Sequence, residues 1–383
     1  MDDTTVPPVV LPPIAAPPDA VPPAALPPDA VARRTRSRRR LQPAAAGRSF
    51  VVTFIAVLFL AAFLSPLIRA ASVALKTPEQ IAQVDSPIWP ADPVTFTYKD
   101  RPYDVYVVPL PDGTSRQLAL VTKGRAESKF ADPAAGPDAP LITWTGSWRT
   151  LPHVWTLSPT WSNFGDVWDL IDYPRLLFNT VALAVIGTIG TILSCTLVAY
   201  GFARFRFPGR SLLFTLLIAT IFLPAAVTVI PTYTLFAKLG WVGTWLPLLV
   251  PTFFANAYDV FLLRQYLLTI PREMDEAASI DGAGPFRTLV SVILPQAWPV
   301  IVAVAIFSFV FWWNEFFGPL IYLAGHDDLM PLQVGLARFN GVYYQNPAFI
   351  QAGNIMTLFI PLALFIMFQR VFIRGIVITG VEK

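Results

Sequence analysis

Pro271-Arg-Glu-Met-Asp-Glu-Ala-Ala-Ser-Ile-Asp-Gly-Ala-Gly-Pro-Phe-Arg-Thr-Leu-Val-Ser-Val-Ile-Leu-Pro295 is the one substantial polar segment between apolar spans in the C-terminal half of the chain. Pro271 suits the first turn of a helix, where its missing N–H would have no partner. Glu273, Asp275 and Glu276 then lie near the positive end of the helix dipole. Gly282 and Gly284 can adopt backbone angles that stop the helix, and Pro285 opens another. The stretch therefore predicts a short helix, a tight turn and a second helix running back into an apolar span. Ala277 and Ala278 leave one side of the short helix nearly bare, so a partner's surface can approach its backbone. An ordinary solvated loop is the bland alternative.

Outward from this loop the chain is apolar. Of 383 residues, 54% are hydrophobic and 14% charged, against about 25% charged in soluble domains. Apolar runs of about 20 residues, enough to cross a bilayer, recur at 50–75, 176–202, 211–230, 245–263, 297–318 and 350–373. The expectation is an all-α polytopic membrane protein with six transmembrane helices, an inserted small extracytoplasmic β-containing loop domain at 76–175, and a membrane core over 176–383. Basic residues sort by loop: Arg204, Arg206, Arg210, Arg264, Arg272, Arg287, Arg370 and Arg374 fall in the turns on one side, while the two short loops opposite carry only Lys238 and Arg338. By the positive-inside rule the 264–296 loop and both termini are cytoplasmic.

Residues 1–49 read as a cytoplasmic tail. Pro-Pro recurs every five residues from Pro7 to Pro27, and an arginine block, Arg33 to Arg40, precedes the first span. The repeat suits an extended, disordered segment, and the block serves as a topology signal or a contact for anionic lipid. In the insert, 94–98, 103–108 and 117–122 read as strands, with a turn at Pro111-Asp112-Gly113 and a linker at 132–140. Trp144, Trp148, Trp155, Trp161 and Trp168 read as an amphipathic run along a membrane surface, with sugar stacking as the sharper alternative.

Most span positions are apolar, so Trp312-Trp313-Asn314-Glu315 stands out. An amide and an acid toward the end of a span either line a path or tie helices together. Trp313, Asn314 and Glu315 are one candidate lining of a translocation path; Asn256, Tyr258 and Asp259 in the fourth span are a second. Cys195 lies in an apolar span, where packing is its expected role. No Gly-Lys dipeptide occurs, which excludes the common phosphate-binding loop, and His153 and His326 offer no metal-binding spacing. An enzyme reading has no catalytic constellation to rest on.

The spacing Glu276-Ala277-Ala278, three residues, Gly282, nine residues, Val292-Ile293-Leu294-Pro295 resembles the Glu-Ala-Ala loop of the membrane subunits of bacterial ABC importers. Val292 stands where that family has isoleucine. Ile280-Asp281-Gly282-Ala283 and the Tyr200-to-Phe207 phrase are similar to the maltose-type, carbohydrate-uptake branch, as is the ending Gln369-Arg370 … Arg374-Gly375. The resemblance covers about 50–383; the tail and the long first external loop depart from it. It implies a permease subunit in a bacterial inner membrane, forming half of a pathway for a sugar or oligosaccharide. The implied partners are a second permease subunit in a heterodimer, two ATPase subunits carrying ATP and Mg, an extracytoplasmic solute-binding protein and membrane lipid. No cofactor in this chain and no nucleic acid is implied. Glu276, Ala277, Ala278, Asp281, Gly282, Leu294 and Pro295 would couple to the ATPases, and loop 319–347 resembles the segment that meets the solute-binding protein. A self-contained secondary transporter would show inverted repeats and intramembrane ion ligands, and a membrane-tethered interaction protein would leave the 271–295 loop unexplained.

Overall fold

Helices here start where apolar runs start, and prolines decide where they bend or stop. The computed structural model describes residues 43–83, 85–341 and 345–377. The proline repeat and the arginine block lie outside these residues. The chain divides into two units, Met1–Phe63 and Leu64–Lys383. In the first, the described residues belong to helix α1 (Pro43–Ala74), with Phe50, Phe54, Phe59 and Phe63 exposed. Bare apolar side chains over a 25-residue span, Phe50–Ala74, suit contact with lipid or another helix rather than water.

The second unit opens with the insert. Helix α2 (Pro78–Ala82) starts with a capping box between Thr77 and Gln80. The buried Gln80 amide also donates to Asp92 Oδ1 (2.8 Å) and the Ser158 carbonyl (3.2 Å). Asn163 donates to the carbonyls of Ala74 and Lys76, and Lys76 Nζ to Ser86 Oγ and the Pro87 carbonyl. The insert's way in and way out are thus fastened to the end of α1. Seven strands follow: β1 (Ala91–Pro93), β2 (Thr95–Tyr98), β3 (Arg101–Pro109), β4 (Ser115–Thr122), β5 (Glu127–Ala131), β6 (Ile142–Thr145) and β7 (Trp155–Leu157). β2 to β6 make an antiparallel meander in sequence order, and β1 pairs with β7. Alternation along the strands covers both faces: Tyr106, Val108, Leu118, Leu120 and Phe130 pack on one, Val105, Ala119 and Ala131 on the other.

The three expected strands and the turn at 111–113 are present, with Asp112 Oδ1 accepting from the Thr114 N–H and hydroxyl. Two further strands of the meander, β5 and β6, flank the expected linker, and β6 takes the first tryptophan of the expected amphipathic run. The tryptophans do not form one face. Trp144 sits in β6, edge-on to Phe130, with its indole N–H on the Pro109 carbonyl, and Trp148 packs edge-on against Tyr106. Trp155 lies in β7 and Trp168 in helix α3 (Ser162–Leu170). Cross-strand pairing, which places Trp144 opposite Ser128, lays the first of these indoles half-buried against the insert's core.

Helix α4 (Tyr173–Arg204) is the one on which the fourth and fifth spans pack. The expected third span is not a straight helix. α5 (Arg210–Ala219) ends in a 3₁₀ turn through Phe222, and α6 (Ala225–Lys238) leaves at 103°. Pro224 lacks an N–H and forces Leu223 into an extended conformation (φ −77°, ψ 116°). The fourth span is also interrupted: α7 (Leu246–Leu249) runs into a 3₁₀ segment, Val250–Phe254, and α8 (Ala257–Thr269) starts afresh. Then come α9 (Glu273–Ile280), α10 (Pro285–Trp313), α11 (Phe317–Tyr322), α12 (Leu332–Ala337) and α13 (Pro347–Val377). Among the described residues, five helical segments are long and apolar enough to cross a membrane, or six if the bent α5–α6 pair is one span. α10 begins well before the expected 297 and stops at Trp313, short of 318. Its Leu289–Ile293 stretch is π-helical, and this wide turn makes room for the ring of Pro295, which cannot donate to its own i−4 carbonyl.

Candidate functional site

Two places carry the chemistry. The first is the loop from α8 to α10. α9 has Arg272 as its N-cap and Glu273, Asp275 and Glu276 in its first turn, a favourable set of charges at that dipole end. It stops by a Schellman arrangement: Ala283 N–H bonds the Ala278 carbonyl (2.9 Å), Gly282 N–H bonds the Ser279 carbonyl (3.0 Å), and Gly282 takes φ +79°. Gly282 is therefore required by backbone geometry, since a Cβ there would meet open space. Gly284 stays extended and Pro285 opens α10.

Met274 and Ala278, one turn apart, face the body: Ala278 is buried and Met274 packs on the Leu289–Ala297 core. This corrects the expectation that both alanines are bare. Only Ala277 is exposed, because the i, i+4 rule gives Ala278 the inward face of Met274. Glu276, Asp281 and Gly282 are exposed. Asp275 meets Arg204 at 3.2 Å, a charge contact without hydrogen-bond alignment, and Arg204 also donates to the Ile270 carbonyl (3.0 Å). Tyr200 hydroxyl donates to the Pro285 carbonyl (3.2 Å). The end of α4 thus grips both arms of the loop, leaving a groove of about 250 Å³ between Tyr200, Arg204, Arg272, Glu276 and Ser279. Leu294 and Pro295 sit at the π-to-α junction rather than at the tip.

Sequence reasoning passed over Ile280 and Phe286. They are 87% and 71% exposed at the loop's tip, flanking the glycines. An aliphatic and an aromatic side chain inside a charged loop were the available signal, since water gives neither a reason to be there.

The second place is a cavity of about 610 Å³ beside the α7–α8 interruption. Ala255 at φ +52° breaks the helix, a strained angle for a residue with a Cβ. Asn256 restarts it: its Oδ1 accepts the Asp259 N–H (2.9 Å) and its Nδ2 donates to Asp259 Oδ2 (2.7 Å). Thr191, Thr252, Asn256, Tyr258, Asp259 and Ser308 give the wall polar groups, and Phe307, Phe311 and Trp312 give it rings. Irregular backbone within a span persists where it is buried in protein or lines a wet cavity. Close approach of the walls uses glycine: a Cβ on Gly187 would lie 2.5 Å from Trp312 Nε1, and one on Gly190 2.2 Å from Thr252 Oγ1.

The structure brings Asn256 and Tyr258 to this cavity and leaves the other predicted trio apart from it. Trp313 is 2% exposed and stacks on Phe309, while Trp312 lines the cavity. Consecutive residues point about 100° apart on a helix, and the choice between the adjacent tryptophans needed that phase. Asn314 caps α10, donating to the Val310 carbonyl (2.8 Å), and Glu315 accepts the Gly318 N–H (2.8 Å) at the start of α11. At the opposite end of α4, Asn179 donates to the carbonyls of Asp328 and Met330, and Thr180 Oγ1 accepts the Leu332 N–H. These bonds, with Trp245 Nε1 on the Leu329 carbonyl, pin the loop between α11 and α12.

Residues 188–377 match the family described as the binding-protein-dependent transport system inner membrane component. A permease for uptake of osmoprotective compounds from Synechocystis sp. is 33% identical over 241 residues, 62% of this chain and 81% of that protein. A permease of an sn-glycerol-3-phosphate transport system from Rhizobium meliloti is 33% identical over 213 residues, 55% and 74% of the two chains. An arabinooligosaccharide transport system permease from Halalkalibacterium halodurans is 33% identical over 204 residues, 53% and 72%. A chain of a bacterial ABC transporter that imports the acidic polysaccharide alginate superposes with a TM-score of 0.59 at 18% identity, covering 88% of this chain and 99% of that one; at that identity the likeness is one of fold. The loop locked at Gly282, the spans packed on α4 and these relatives agree: the chain belongs to the family of binding-protein-dependent inner-membrane transport components and is a multi-pass permease subunit of an ATP-binding-cassette importer.

Proposed function

We propose that the chain forms half of the transmembrane pathway for a sugar or oligosaccharide handed over by an external solute-binding protein. A second permease subunit supplies the other half, and two ATPase subunits, holding ATP and Mg, supply the energy; this chain is the non-catalytic coupling part. The observation that carries the reading is the 271–295 loop: one face of α9 is fixed to the body through Met274, Ala278 and Asp275, while Glu276, Ala277, Ile280 and Phe286 are offered to a partner. Closing of the ATPases would push α9 as a stiff unit, with Gly282 setting its end and Leu294 and Pro295 passing the movement into α10. The arginine asymmetry supports a cytoplasmic loop, cytoplasmic termini and an extracytoplasmic insert. Relatives named for arabinooligosaccharide and for alpha-glucoside transport support a carbohydrate. Asn256 and Tyr258 would line the path, with Trp313, Asn314 and Glu315 shaping the α10–α11 turn at its mouth.

The test is a crosslink and an uptake assay on the assembled complex in membrane vesicles. Ile280→Cys should crosslink to an ATPase subunit in a nucleotide-dependent way, and uptake should require ATP. No crosslink together with ATP-independent uptake would overturn the reading in favour of a self-contained transporter.

A further inference from the structure

The cavity beside α7 and α8 holds polar groups that the fold does not use for itself. Thr191 and Ser308 are 5% and 7% exposed and line the cavity, and among the described residues neither hydroxyl has a hydrogen-bond partner. Asp259 is buried as well, and its carboxylate takes a side-chain bond from Asn256 alone, well below the acceptor capacity of two oxygens. Phe311 and Trp312 add ring faces. The lining contains no lysine, arginine or histidine.

We propose that this cavity is a subsite for an uncharged, polyhydroxylated solute, with Asp259 as the residue that turns anions away. The proposal rests on the permease reading above and narrows its solute class. Sugar hydroxyls can donate to Asp259 and exchange bonds with Thr191 and Ser308, while the C–H face of a ring lies against Trp312. A phosphate or carboxylate would instead meet a buried carboxylate in a low-dielectric wall without a countercharge, which is strongly unfavourable. The chain is about equally similar to permeases named for sn-glycerol 3-phosphate and for arabinooligosaccharides; the wall chemistry favours the second kind of solute. A volume of about 610 Å³ is within the roughly 300–1,000 Å³ of small-molecule sites.

The experiment works whatever the natural solute is. Ser308→Cys is placed in a Cys195→Ala chain, assembled with its partner subunits in vesicles, and treated with a cationic and an anionic methanethiosulfonate. The ratio of cation to anion rates, normalised to a small free thiol, should be about ten or more, and Asp259→Asn should bring it near one. Sucrose, trehalose and sorbitol at tens of millimolar should include at least one that slows modification threefold, and sn-glycerol 3-phosphate should not slow it. A ratio near one with Asp259 present, silence to both reagents while Tyr258→Cys reacts, slowing by glycerol phosphate, or slowing by none of the three polyols overturns the proposal. The ratio in the Ser308→Cys chain decides by itself if Asp259→Asn fails to assemble. ATP-dependent uptake is scored in the same vesicles: its absence sinks the permease reading, whereas ATP-driven uptake of an anion sinks only the subsite.

Discussion

The 271–286 part of the loop keeps almost no apolar surface for itself. Ile280 and Phe286 are bare, and its fixed points, Met274, Ala278 and Asp275, rest on other helices. The insert at 76–175 does the reverse: Phe130, Leu118 and Val108 are fully buried within its own sheet. Both are polar excursions between spans, yet one borrows its rigidity and the other makes its own. A segment that must yield to a partner's force gains from being anchored to the helices it moves. A segment with its own core can change without disturbing them.

The largest expected effect breaks the insert alone. Phe130→Ala should lower the stability of the insert by about 3–5 kcal/mol, the usual range for a buried phenylalanine. Faster limited proteolysis within 76–175, with nucleotide-dependent crosslinking at Ile280 unchanged, is the expected pattern; loss of that crosslink would show that the two regions are not independent. Next comes the loop's charge. Glu276→Lys should cut ATP-driven uptake by about thirtyfold, corresponding to roughly 2 kcal/mol from a paired interface charge, with normal amounts of complex in the membrane. Uptake within twofold of the parent would count against Glu276 as a coupling residue.

Gly282→Asp is smaller, since the site is open but left-handed and the added carboxylate lies exposed at the C-terminal end of α9. It should cost about 1 kcal/mol of local stability, read as faster amide exchange at Gly282 and Ala283, with weakened coupling. Unchanged exchange there would remove the Schellman turn from the account. The last effect lies back in the insert and is absent at neutral pH. Burial, then Asp104 and Asp85, pushes the Tyr106 phenol up to about 12. The unfolded chain loses this proton near pH 10 while the folded insert keeps it to about 12, so insert stability is full below pH 10 and falls as pH rises from 10 to 12. Phenolate absorbance from Tyr106, isolated by comparison with Tyr106→Phe, should appear only toward pH 12; a midpoint near 10 would contradict its burial.

The loop was legible because its stops are local chemistry: glycine at the left-handed position, proline at a first turn and acids at a helix start. The insert was half legible. Alternation marked β2, β3 and β4, but β5 is short and β6 carries a tryptophan whose burial depends on Phe130 across the strand pair. The interruption at Ala255 had no residue signal, because alanine is not a left-handed residue; only Asn256, a good N-cap, hinted that a helix begins there. Pro224 was visible, yet proline within a span is compatible with a kink as well as a 103° turn, and the residue itself does not choose between them. The cavity escaped notice as a whole because Thr191, Asp259 and Ser308 come from three separate helices.

One helix holds both Asn179, which pins the backbone at Asp328 and Met330, and Arg204, which pairs with Asp275. At about 1.5 Å per residue, the 32 residues of α4 make a rod of about 48 Å. A tilt of about 5° about one end displaces the other by about 4 Å, as a straight rod of that length requires. A movement at either end can therefore reach the other through a single piece of machinery, with no chain of intermediaries to fall out of step.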